Sequence, residues 1–194
     1  MSEPRRGRPR SEQAHEAVLD AATELLLERG LAAVSMDEVA AHAGVSKATI
    51  YRWWNTKETL ALDALFREWA GSTRADDTGA LRSDLIALIR PWTRQARRRP
   101  YGRVVAGLIT TAQTDPKFAE QYRLHFIEPR RDLARSVLRR AIERGEIAVD
   151  TKVEIVLDLL FGAVYHRLLN GHAPLTDRFV TDAVDVVLEG IDVR

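Results

Sequence analysis

The sequence predicts an all-α fold of about nine helices, and three observations carry that prediction. Apolar residues recur at helical spacing in nearly every periodic segment, and no stretch alternates apolar and polar residues as a half-buried strand would. Ser, Thr or Asp stands ahead of several of these segments and Gly or Pro behind them, the punctuation of helix ends. The chain has 194 residues, 45% of them hydrophobic, enough for a real core in one or two domains.

The first helix is predicted over 11–29, with Ser11 as its cap, Ala17 and Leu25 on its buried face and Gly30 closing it. Two short helices follow. Ser35 and Glu38 have capping-box spacing, Gly44 supplies the conformation of a tight turn, and Ser46 caps the next helix. Asn55 with Glu58 repeats the cap pattern for a fourth helix, from near residue 56 to about 69. The polar, turn-rich stretch 71–79 reads as a connection and marks the domain boundary.

The second part is predicted to hold about five helices. One spans about 81–98, with Pro91 as a kink or a break, and the next 101–113. Asp115 with Pro116 opens a long helix that Glu128-Pro129 bends and Gly145 ends. Thr151 with Glu154 opens another, closed near Gly171. Thr176 opens the last, with Leu175 and Val180 spaced as a hydrophobic staple.

Two short capped helices around a Gly turn are the layout of a helix-turn-helix, whose second helix enters the major groove of double-stranded DNA. The residue types fit. Lys47, Thr49, Tyr51 and Arg52 offer donors to phosphates and base edges, while Ile50 and Trp54, four apart, point back with Val39 and Val45 into a core. A helical hairpin with a merely polar face has the same spacing. Ahead of it, R-R-G-R-P-R puts Arg5, Arg6, Arg8 and Arg10 in a segment expected to stay extended over 1–10 and reach a minor groove. The alternative is a solubilising charged tail.

Composition narrows the function classes. The net charge is only +1, so DNA affinity must come from a local basic surface. With no Cys, disulfides, thiolate metal sites and thiol catalysis are excluded. No apolar run is long enough to span a bilayer and no signal-peptide pattern appears, so the expectation is a soluble, cytoplasmic chain without membrane contact. No nucleophile–base pair, phosphate-binding loop or metal-ligand cluster supports an enzyme, and no cofactor or metal is expected.

The last two helices are apolar over a wide arc, which calls for cover on more than one side. A second copy supplies it most simply, as a four-helix bundle in a homodimer. The candidate interface is Val156, Leu160, Val164, Val180, Val184, Val187 and Ile191. Arg130, Arg131, Arg135, Arg139, Arg140 and Arg144 interleave with Leu133, Val137, Leu138 and Ile142 and read as a solvated face over a buried one; an anion site for an acidic effector is the alternative.

The order S-M-D-E-V-A-x-x-A-G-V-S-K-A-T-I-Y-R-W-W-x-x-K-E-x-L resembles the DNA-binding domain of the tetracycline-repressor (TetR) family of bacterial transcription regulators, over roughly 11–66. The resemblance implies that Ser46, Lys47, Thr49 and Tyr51 approach phosphates and bases, and that Lys57 contacts a phosphate from the start of helix four. Ala48 stands where Gly is frequent, and Trp53-Trp54 replaces the usual Tyr/His-Phe pair; both bear on which bases are preferred. R-G-R-P-R resembles an AT-hook core. The candidate DNA contacts are Arg6, Arg8, Arg10, Ser35, Ser46, Lys47, Ala48, Thr49, Tyr51, Arg52, Trp53 and Lys57.

For the rest of the chain the resemblance implies a dimer formed by the last two helices and a pocket for a small-molecule effector. The strings R-R-P-Y-G-R, F-I-E-P-R-R and R-G-E-I resemble C-terminal domains of actinobacterial-type members. Candidate pocket residues are the bulky amphipathic ones of the middle helices: Trp92, Tyr101, Tyr122, His125, Phe126, Tyr165 and His166. The expected organisation is an arm at 1–10, an N-terminal three-helix helix-turn-helix DNA-binding domain at 11–70, and a C-terminal helical effector-binding and dimerisation domain at 71–194. The expected function is a sequence-specific transcriptional repressor, released from a pseudo-palindromic operator by its effector. A ligand-independent architectural DNA-binding protein is the alternative.

Overall fold

The structure is a computed structural model that describes residues 8–98 and 100–191, with the side chains of residues 8–10 outside that description. It is built of α1 (Arg8–Arg29), a 3-10 turn (Leu31–Ala33), α2 (Met36–His42), α3 (Lys47–Tyr51), α4 (Lys57–Ser72), α5 (Leu81–Ala96) and α6 (Tyr101–Thr114). Then come α7 (Pro116–Tyr122), a π-helical segment (Arg123–Ile127), α8 (Glu128–Glu143), α9 (Val153–Asn170) and α10 (Asp177–Glu189). The π segment joins α7 to α8 without a gap, and no β-strand occurs among the described residues. The all-α prediction therefore holds.

Local chemistry explains most helix ends. Ser35 accepts from the Glu38 N–H, and the Glu38 carboxylate accepts from the Ser35 N–H at 3.0 Å, the predicted capping box. Gly44 takes φ +66°, a left-handed conformation that L side chains rarely adopt, and so permits the tight turn into α3. Asp115 caps α7 ahead of Pro116 as predicted. Leu175 and Val180 flank the Thr176 cap of α10 and are both buried.

Three predicted ends move. The first helix begins at Arg8, not at residue 11, because Pro9 lies in the first turn, where a helix loses no hydrogen bond to it. Residues 8–10 are thus helix rather than extended arm. The cap of α4 is Thr56 with Thr59, not Asn55 with Glu58: the Thr56 hydroxyl accepts the Thr59 N–H at 3.2 Å. Thr151 does not cap α9, since its hydroxyl donates to the Ala148 carbonyl at 2.6 Å, and Lys152 occupies the cap position.

The two internal prolines have different outcomes. Helix α5 continues through Pro91. Pro129 has no N–H, and its ring crowds the carbonyl four residues earlier, that of His125. The helix widens there instead of breaking, and the Glu128 N–H bonds back five residues to the Arg123 carbonyl.

One hydrophobic cluster runs through the molecule. Helix α4 belongs to both halves, packing on α1 and on α5, α6 and the π segment. Helix α6 meets the 3-10 turn at Gly107, where a Cβ would lie 2.9 Å from Leu31 Cδ2. Antiparallel α5 and α10 are clamped at both ends. Arg82 grips Asp185 at 2.6 and 2.9 Å, and Arg94 and Arg97 share Asp177.

That packing buries most of the predicted dimer face inside the protomer. Val156, Leu160, Val164, Val180, Val184 and Val187 are all buried within the protomer, because they seat α9 and α10 on the rest of the same chain. Ile191 is half-buried against the same core. The apolar side chains left open on these helices are Ile155, Leu159, Leu169 and Val186, at 57%, 55%, 43% and 66% exposure.

Candidate DNA interface and effector cavity

Helices α2 and α3 present one polar face. Ile50 and Trp54 anchor α3 in the core, and Trp54 Nε1 donates to Asp63 Oδ2 of α4 at 2.7 Å. Burying two large side chains contributes several kcal/mol, about 2–3 each, and fixes the orientation of α3. Lys47, Ala48, Tyr51 and Arg52 are exposed on the opposite side. Ser46 and Thr49 stand 2.9 Å apart at the start of α3, with the Ser46 hydroxyl capping the Thr49 N–H. Lys47 reaches Asp37 across the α2–α3 junction.

Lys57 closes the face from the start of α4. Its ammonium donates to the Val34 carbonyl at 3.3 Å and reaches Ala32 O at 3.5 Å, which leaves donor capacity toward solvent. An open groove of about 410 Å³ runs beside it, bounded by Ser35, Asp37, Tyr51, Asn55 and Thr56. Its hydroxyls and the Lys57 ammonium suit a phosphate-bearing backbone, and the Asp37 and Glu58 carboxylates also line it.

Two predicted contacts sit elsewhere. Trp53 is half-buried, its ring 5.2 Å from His15 of α1 and 5.7 Å from Trp54, so it wedges α3 onto α1 rather than standing on the open face. The Arg52 guanidinium covers that ring at 4.8 Å. The Ser35 hydroxyl is engaged by Glu38, donating to its carboxylate at 2.9 Å. Of the predicted arm, Arg6 lies outside the described residues. Arg8 and Arg10 stand in the first turn of α1, with their side chains outside the description.

The predicted pocket residues divide. Trp92, Tyr101, Tyr122, Phe126 and the Tyr165 hydroxyl are buried together. Trp92 meets Tyr165 at 5.1 Å with the rings tilted 58°, and Tyr122 stacks 5.2 Å from Phe126. His125 and His166 are exposed instead. His125 lies on the outer side of the π segment, and His166 bonds Asn170 on the outer side of α9.

At the centre of the buried set is Arg130, a residue read from the sequence as solvated and only 3% exposed. Its Nη1 donates to the Phe126 carbonyl at 2.6 Å, and its guanidinium lies 3.6 Å from the Phe126 ring centroid. Its Nε and Nη2 have no hydrogen-bond partner, and it forms no ion pair among the described residues. Trp92 Nε1 and the hydroxyls of Tyr101, Tyr122 and Tyr165 are likewise buried without a hydrogen bond of ordinary geometry. Burial pushes the three tyrosines above their usual range, so they remain O–H donors. Burial pushes Arg130 down, yet arginine stays charged in proteins.

A cavity of about 200 Å³ opens beside this cluster between α8 and α9, lined by Ile127, Arg130, Phe161, Gly162 and Tyr165 and by the ion-paired Arg131 and Asp158. A second void of about 10 Å³, with room for about one water, touches the same guanidinium from the α4 and α5 side. A wider cleft of about 820 Å³ between α5, α6 and the end of α9 is a surface groove, and it contains none of the unpartnered Arg130 donors. Of the other arginines in this stretch, Arg131, Arg135, Arg140 and Arg144 are ion-paired and Arg139 is exposed. Arg131 and Arg135 hold Glu154, Arg131 also holds Asp158, and Arg144 holds Asp77 and Glu146.

Sequence spacing did carry a signal for Arg130. Phe126, Arg130, Ala134, Val137, Leu138 and Ala141 fall on one helical stripe, and all are buried.

An anchored recognition helix on a three-helix head, continued by α4 into a helical body with a polar cavity, defines a helix-turn-helix regulator with a separate sensing part. Residues 18–64 match the bacterial regulatory proteins of the tetR family, and residues 75–187 match the tetracyclin repressor-like C-terminal domain. The chain is 37% identical to an uncharacterized HTH-type transcriptional regulator, YdeS, of Bacillus subtilis (strain 168), over 96% of this chain and 94% of that one. It is 36% identical to the DNA-binding transcriptional repressor TetR of Mycobacteroides abscessus, over 92% and 94%. The crystal structure of the TetR family transcription regulator SCO0332 superposes with a TM-score of 0.80 at 43% identity, covering 92% of this chain and 98% of that one. The chain belongs to the TetR family of DNA-binding transcriptional regulators.

Proposed function

We propose that the protein is a dimeric repressor that binds a pseudo-palindromic operator and leaves it when a small molecule occupies the cavity beside Arg130. Residues 11–70 read DNA; residues 71–194 dimerise and sense. Lys47, Ala48, Thr49, Tyr51 and Arg52 face the major groove, and Ser46 and Lys57 hold phosphates. Ile155, Leu159 and Val186 form the centre of the two-fold interface. It acts in the cytoplasm, without catalysis; no helix among the described residues is long and apolar enough to cross a membrane.

The observation that supports this most is the division of labour on α3. Ile50 and Trp54 are locked into the core while Lys47, Tyr51 and Arg52 are left exposed. A helix held so firmly with its donors outward suits groove reading. Selection of bound sequences from a random duplex pool at near-physiological salt tests the reading. An enriched inverted repeat with two half-sites supports it, and binding without enrichment overturns it.

A further inference from the structure

Among the described residues, the Arg130 guanidinium is a buried charge without an ion-pair partner. A buried charge without a counter-charge is strongly unfavourable, and replacing such groups by apolar ones commonly stabilises a protein. Around the charge stand Trp92 Nε1 and the hydroxyls of Tyr101, Tyr122 and Tyr165, which engage one another in pairs, Trp92 with Tyr101 and Tyr122 with Tyr165, and supply no negative charge. Every unsatisfied nitrogen of the guanidinium is a donor, so what the site lacks is an acceptor that carries negative charge.

The geometry of the free edge narrows the acceptor. Nη1 is committed to the Phe126 carbonyl, which leaves Nε and Nη2 side by side. That is the edge with which Arg82 grips both carboxylate oxygens of Asp185, at 2.6 and 2.9 Å, in this same molecule. Two parallel N–H donors match the two oxygens of a carboxylate. Only one uncompensated cation is present, because Arg131 at the cavity mouth is already neutralised by Asp158 and Glu154. A dianion would carry a second, unmatched charge toward those carboxylates. The cavity, about 200 Å³, lies below the roughly 300 Å³ at which drug-sized pockets begin. Away from Arg130, Ile127, Phe161 and Gly162 form an apolar wall, and the Arg131–Asp158 ion pair and Tyr165 complete the lining.

We propose that the cavity beside Arg130 binds a small organic monocarboxylate, held by the Nε/Nη2 edge, with the buried tyrosine hydroxyls as further donors and its apolar part against Ile127 and Phe161. This names the effector class and rests on the regulator reading above. The π segment belongs to the same site, since it places the Phe126 carbonyl and ring against the guanidinium.

The test is calorimetric titration of the full-length protein with benzoate and hexanoate, and with benzamide and hexanamide as neutral matches. At least one acid is expected to bind, and its amide to bind at least tenfold more weakly. Arg130→Gln and Arg130→Met should lose at least tenfold in acid affinity. Amides that bind as well as acids, Arg130 variants that keep acid binding, or neither acid binding at all would each overturn the inference. The acid–amide comparison needs no variant, so it stands even if the substitutions unfold the chain. Duplex selection decides the regulator reading separately: an enriched inverted repeat without acid binding rejects the carboxylate inference alone.

Discussion

The Arg130 guanidinium lies 4.7 Å from the ring centroid of Trp69, and this contact joins the cavity to the DNA-binding head. Trp69 belongs to α4, the helix that starts at Lys57 on the DNA face. Whatever neutralises Arg130 changes a cation–π contact on that helix, an interaction worth about 2 kcal/mol or more when desolvated. Coupling of operator release to ligand binding needs a differential contact of this kind between two states.

Arg130→Met should leave the protein as stable as the parent or stabilise it by up to about 4 kcal/mol, because an unpaired buried charge is exchanged for an apolar chain of similar length. Arg82→Met, which leaves the half-exposed Asp185 without its partner in reach of water, should lower stability only slightly. Thermal unfolding of both variants checks the contrast. Destabilisation of Arg130→Met by several kcal/mol would show the guanidinium to be a structural member of the core.

Tyr51→Ala and Lys57→Ala should each weaken operator binding by about 1–3 kcal/mol, roughly tenfold to a hundredfold, without changing the oligomeric state. The two should differ in salt dependence. Loss of a phosphate contact at Lys57 lowers the slope of log affinity against log salt by about 1, whereas loss of a base-edge contact at Tyr51 leaves it unchanged. Titrations across a salt series read both, and two variants that bind like the parent would remove α3 from the interface.

The dimer face makes a paired prediction. Val186→Glu and Leu159→Glu alter exposed apolar side chains, so they should give folded monomers in sedimentation. Val184→Glu puts a charge at a fully buried position and should unfold the chain instead. A Val186→Glu, Leu159→Glu double variant that remains dimeric would move the interface off α9 and α10.

Acid sensitivity follows from two carboxylates. Hydrogen bonds from Arg94 and Arg97 hold Asp177 at about 2, below its ordinary 3.8. Hydrogen bonds from Arg135 and Arg131 hold Glu154 at about 2, below its ordinary 4.5. A carboxyl group more acidic in the folded state adds stability that is present above its unfolded pKa and is lost as pH falls through the folded value. The Tm difference between the parent and Asp177→Asn should therefore be constant above about pH 5 and shrink between about pH 4 and 2. A difference independent of pH over that window would mean that the α5–α10 clamp owes nothing to the charge of Asp177.

The head was legible because its signals are local. Capping hydroxyls, a glycine turn and the Ile50–Trp54 spacing each act within a few residues, and Ser35, Gly44 and Ser46 do as their types dictate. The dimer face was not, because α9 is apolar on most sides. Which side meets α8 of the same chain and which meets solvent is a tertiary outcome. Pro9 suggested an extended arm, but a proline in a first turn serves a helix equally well. Arg130 was hidden by its type: six arginines on one helix read as solvated, and only its register with Phe126 and Ala134 told it apart.

The chain contains no cysteine, so Ala41→Cys, exposed on α2 and outside the proposed DNA contacts, gives one labelling site per protomer. The decisive measurement is the spin–spin distance between two such labels in the protein bound to its selected duplex. A narrow distribution near one helical turn of DNA, roughly 34–36 Å, or a multiple of it, is predicted for a two-fold dimer that sets both recognition helices in successive major grooves. Absence of any dipolar coupling, or a broad distribution that the duplex does not sharpen, would contradict it.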